Sequence, residues 1–189
     1  MKVLRVKPDF EFIQVNWPVN NVEAYKKLAS PMFYGRPMAD KWPRDWIGHI
    51  VHPELPRGNF FDVALGALGL FPDALEVFKG LLEPIAELLP LELPSFGECA
   101  IANITFVSAE AFDNAKGTKR VIEGMTFEPL RYAFHSEVIS EFSLFKIPEI
   151  RSDILCVSGN RVPADRDFVR LYHDNNMSGL TFDVLWESE

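Results

Sequence analysis

The 36 residues Asp153 to Ser188, close to the C-terminal end, constrain the fold of this 189-residue chain more than any other stretch. Asp153-Ile154-Leu155-Cys156-Val157-Ser158 is a short apolar run with strand character. Pro163 to Asn176 has helical spacing, and Gly179 to Trp186 alternates apolar and polar residues. A strand, a helix and a second strand in that order must bury one helix face. Phe168, Leu171 and Tyr172 supply that face, Pro163 suits the helix start, and Asn176 and Gly179 bracket its end. The unit carries no nucleophile elbow, phosphate loop or metal-ligand set, so it reads as a frame that presents a surface.

A second helix is legible at Pro72-Asp73-Ala74. Proline fits a first helical turn, Asp73 suits its positive end, and Leu75, Phe78, Leu82 and Ile85 recur at three- and four-residue spacing. Pro84 limits this helix, and Glu87 to Leu93 follows as a strand whose Pro90 suggests a sheet edge or bend. Pro72–Leu93 and Pro163–Trp186 thus share the order helix, turn, strand, a faint and degenerate helix–strand repeat.

The remaining segments read mainly as strands: Lys2–Val6, Phe10–Val15, Ala100–Val107, Arg120–Ile122, Phe127–Phe134 and Glu141–Ile147. Two short helical stretches are expected at Val22–Ala29, stopped by Ser30-Pro31, and at Ser108–Ala115, with Ser108 as N-cap and Gly117 beyond the end. Residues 31–60 hold five prolines and three glycines, yet also Phe33, Trp42 and Trp46, which need burial. They read as an irregular segment packed on the core. The expectation is a single α+β domain over 1–189, irregular over 1–60 and with its core over 61–189, built on a mixed or mainly antiparallel sheet with a few helices packed on it.

The formal net charge is −8. Residues 1–94 hold 10 Lys and Arg against 12 Asp and Glu, whereas residues 95–189 hold 9 against 15. Such a balance argues against nucleic acid as a ligand and permits a basic protein partner. Cys99 and Cys156 form no CxxC or Cys/His cluster and are not a disulfide framework. The first residues hold no secretory stretch and no window reaches 18 apolar residues, so a cytoplasmic protein without a membrane segment is expected.

One cluster offers chemistry. His49, His52 and Glu54 lie within six residues, in principle enough to begin a zinc site and a small metal-dependent hydrolase. Pro53 prevents the regular helix of a metalloprotease there, and a pair of loop histidines is the simpler reading. Cys156 sits inside an expected strand as a buried thiol. Gly66-Ala67-Leu68-Gly69 lacks the third glycine of a dinucleotide fingerprint. No catalytic, cofactor-binding or metal residue is therefore assigned. The carboxylates expected to be exposed and available to a basic partner are Glu137, Glu141, Asp165 and Asp167.

Several stretches carry a family likeness: Phe71 to Leu93, Asn103 to Val107 followed by Ser108 to Asp113, Leu144 to Pro148, Ile154 to Ser158, Phe168-Val169, and Met177 to Phe182. In these the chain resembles a widespread family of bacterial immunity proteins, formerly a domain of unknown function, whose members are typically encoded beside polymorphic or contact-delivered toxins. The likeness covers residues 60–187 loosely and 142–187 best. It implies a non-enzymatic binder, without cofactor, that neutralises a cognate toxin in the cytoplasm of the producing cell. A hydrolase built on His49, His52 and Glu54 and a general protein-interaction subunit are the alternatives.

Overall fold

The computed structural model describes residues 1–16, 33–44, 46–122 and 125–188. In chain order its strands and helices are β1 (Lys2–Pro8), β2 (Gln14–Asn16), β3 (His49–Val51), β4 (Phe60–Phe61), β5 (Ala67–Leu70), α1 (Pro72–Leu82), β6 (Ala86–Leu93), β7 (Gly97–Ile104), β8 (Thr118–Ile122), β9 (Met125–Arg131), α2 (Ser136–Ile139), β10 (Leu144–Phe145), β11 (Ile154–Ser158), α3 (Phe168–Asp174) and β12 (Leu180–Glu187). Among the described residues they build an α+β fold of antiparallel sheets with helices packed on them, as the sequence predicts.

Two four-stranded sheets form the frame, in the orders β4-β5-β7-β6 and β10-β11-β1-β12. The orders are equivalent. In the first sheet, α1 carries the chain from β5 to β6, and β7 lies between them, antiparallel to both. In the second, α3 carries it from β11 to β12, and β1 lies between them in the same way. The helix–strand repeat read from the sequence is therefore the visible part of a larger repeat. Its last strand differs in source. β7 follows β6 through a tight turn in which Phe96 N donates to Leu93 O at 2.8 Å. β1 comes from the other end of the chain, and Ser188 N donates to Met1 O at 2.9 Å where that turn would stand.

Both helices pack into one core between the sheets. Ala74, Phe78 and Leu82 recur every four residues on α1 and are fully buried; Phe168 and Tyr172 do the same on α3. The rings of Phe78 and Phe168 meet with centroids 4.7 Å apart. Tyr172 ties α3 to the next strand, because its hydroxyl donates to Leu180 O and accepts from Leu180 N. The turn between them needs Gly179, at φ +99°, where a Cβ would lie 2.2 Å from Phe60 O. Each sheet's outer face has its own cover. Phe33, Trp42 and Trp46 pack on Leu91 and Ile101 of the first sheet, and Phe112, Phe134 and Ile139 pack on Leu155 and Val157 of the second.

The structure corrects several expected elements. Phe10–Val15 is not one strand: the Asp9 carboxylate accepts from Glu11 N and turns the chain, and only Gln14–Asn16 pairs, with β3. Ser108–Ala115 is not helical, because Asp113 accepts from Ala115 and Lys116 N in a tight turn. Within Glu141–Ile147 only Leu144 and Phe145 join the sheet, and residues just before it form α2 instead. The closing helix starts at Phe168 and not at Pro163, whose carbonyl accepts from Arg166 and Asp167 N in a preceding turn. Pro90 lies on the edge strand β6, as expected. The helix expected at Val22–Ala29 falls outside the described residues. No described helix is long and apolar enough to cross a membrane.

Candidate functional site

α1 and α3 touch at Phe78 and Phe168, and residues of both helices line a groove of about 710 Å³. Its floor and walls include Leu81 and Ile85 from α1 and the turn after it, Phe106, Phe142, and Leu171 of α3. Phe106 and Phe142 pack edge to face, with centroids 4.8 Å apart. These side chains are half-buried, so the groove offers apolar surface to a visitor. Glu141, Asp165 and Arg166 form its rim. Arg166 Nη1 lies 3.1 Å from Glu141 Oε2, which leaves Asp165 without an ion pair or hydrogen bond among the described residues.

The structure thus brings Glu141 and Asp165 to one groove. Glu137 sits apart on α2, with its side chain 78% exposed and 3.7 Å from His135 Nδ1. Asp167 is a correction. Expected to be exposed, it is 4% exposed and caps α3. One of its oxygens accepts from Arg170 N at 3.0 Å; the other accepts from Ser158 Oγ at 2.8 Å and Gly159 N at 3.1 Å. An N-cap acid occupied in this way is a structural part of the helix start.

His49, His52 and Glu54 do not assemble with further ligands. His49 lies on β3 opposite Asn16, and His52 Nδ1 is 3.0 Å from Glu54 Oε1 at the surface. A backbone N–H and His52 hold the Glu54 carboxyl below its ordinary range. Among the described residues no three or more His, Cys, Asp and Glu side chains are grouped to hold a metal. Cys99 and Cys156 are buried free thiols, and burial pushes Cys99 up to about 12.

Two polar clusters went unread in the sequence. Arg5 on β1 meets Glu128, Asp153 and Tyr132. Burial holds Asp153 and its neighbour Asp62 above the ordinary carboxylate range, at a cleft of about 460 Å³ between β1, β5 and β11. Lys146 is wholly buried and donates to three backbone carbonyls: Phe33 O, Gly66 O at 2.6 Å and Arg151 O at 3.0 Å. Three acceptors match the three donors of an ammonium, so Lys146 pins the cover of the first sheet to the loops beside the second.

The sequence matches no known protein-family model and no curated protein.

Proposed function

We propose that this chain is a non-enzymatic immunity protein that binds and neutralises a cognate, basic bacterial toxin in the cytoplasm of the producing cell. The observation that carries the reading is the α1–α3 groove, apolar within and bearing an unpaired carboxylate at its rim. A protein inhibitor needs about 800 Å² of surface per partner and a few anchors, and no chemistry of its own. Half-buried Leu81, Phe106, Phe142 and Leu171 supply apolar contact, and the acidic balance of residues 95–189 draws a cationic partner towards them. The resemblance of residues 142–187 to immunity proteins points the same way.

Co-expression with the product of the adjacent gene tests it. Rescue from toxicity together with co-purification of the two proteins is the expected result. Absence of both toxicity and a complex would count against the whole reading. Electrostatic steering adds a kinetic signature: raising ionic strength from about 0.01 M to 1 M shrinks the screening length from about 30 Å to about 3 Å. The association rate is expected to fall roughly tenfold or more over that range. A rate indifferent to salt would remove charge from the account.

A further inference from the structure

Among the ten glycines within the described residues, Gly80 stands alone. Each of the others either has a left-handed backbone, as Gly97 and Gly159 do, or would drive a Cβ into a neighbour, as Gly48, Gly58, Gly69 and Gly117 would; Gly35, Gly66 and Gly179 do both. Gly80 does neither. It lies in regular α1, two residues from the helix end, and beyond its chain neighbours and the helix's own nearby backbone no described atom lies within 4 Å of where its Cβ would sit. Glycine in a helix interior weakens the helix relative to alanine. Nothing within the described fold asks for that weakness, yet the residue is exposed and lines the groove between Leu81 and Leu171. A missing side chain at a binding groove is what lets another backbone come close.

We infer that the partner seats an apolar side chain between α1 and α3, lays its own backbone against the Gly80 turn, and sets a Lys or Arg of the same segment against Asp165. This rests on the immunity reading and specifies the chemistry of its interface. The charge follows from the rim: Glu141 is engaged by Arg166, whereas Asp165 is exposed and has no counter-ion among the described residues. A cation beside an apolar anchor would be matched at both ends. The seat for the anchor is formed by Phe142, Leu171 and Pro84.

Gly80→Ala separates the two roles. With the adjacent gene's product as probe, the variant is expected to raise the thermal midpoint of the free protein by about 2–4 °C, as a helix-interior alanine should in a chain of this size. It should also weaken Kd tenfold or more. Asp165→Asn should weaken Kd several-fold at low salt and less at high salt. Lys79→Ala, on the same helix beside Glu83 and outside the groove, should leave Kd within twofold. A complex whose Kd is unchanged by Gly80→Ala overturns this inference and leaves the immunity reading standing. A lowered thermal midpoint overturns it too, because the glycine then serves the fold. No complex and no rescue with the wild-type chain would remove both.

Discussion

Asp167→Ala should cost this protein about 3 kcal/mol without touching its binding surface. The magnitude follows from three hydrogen bonds to one buried carboxylate. Loss of the Arg170 N–H acceptor removes the α3 cap, worth about 1 kcal/mol. Ser158 Oγ and Gly159 N then lose their acceptor at the end of β11, and each orphaned donor costs about 1 kcal/mol at the low end of the range. Asp167→Asn keeps one acceptor oxygen and turns an amide N–H₂ towards the other donors, so it should recover about half of the loss. Urea melts give the comparison, with the slope of each transition checking that the unfolded state is unchanged. Asp165→Ala, two residues away and exposed, should stay within about 0.5 kcal/mol of wild type. An Asp167→Ala midpoint indistinguishable from wild type would refute the assignment of this acid to the fold, and with it the reason for removing it from the interface.

Two further outcomes are expected. Burial draws Lys146 down to about 7, so between that value and its unfolded 10.5 the unfolded chain holds the extra proton, and stability should rise with pH across that window. From pH 7 to pH 9 the wild type should gain about 2 kcal/mol relative to Lys146→Met; equal gains in paired urea melts would refute it. Phe168→Ala empties the contact between the two helices and should cost about 3–5 kcal/mol, with faster amide exchange along β12; unchanged exchange there would show that the strand does not depend on the ring.

The elements legible in the sequence are those whose pattern is local. α1 shows its proline start and, at Phe78 and Leu82, part of its buried face, though the expected Leu75 and Ile85 are only half-buried and Ala74 takes the remaining place; β12 shows its alternation. The helix–strand likeness between Pro72–Leu93 and Pro163–Trp186 pointed to a repeat, but its full extent was hidden because the strand equivalent to β7 is supplied from residues 2–8. Nothing local to Lys2–Pro8 says that its partners lie more than 140 positions away. Asp165 and Asp167 look alike as letters. Only the turn from Pro163 decides that one faces solvent and the other caps the helix. The groove was unreadable for the same reason, since it joins residues near 80, 106, 142 and 171. One local signal for it did exist: an isolated glycine inside an otherwise good helical pattern.

The place of β1 also sets an order on synthesis. The first sheet draws its strands from residues 60–104 and has its complete set of strands once that stretch has left the ribosome. The second has its central strand made first and both neighbours made last. At about 5–20 residues per second, roughly ten to thirty seconds separate Lys2 from Ser158, its partner in β11. Throughout that interval Val3, Leu4 and Val6, all destined for the interior, have neither neighbouring strand to pair with. Until those strands follow, β1 has two unpaired backbone edges, a template for pairing with another chain. At high expression it also invites exchange of that segment between neighbouring copies.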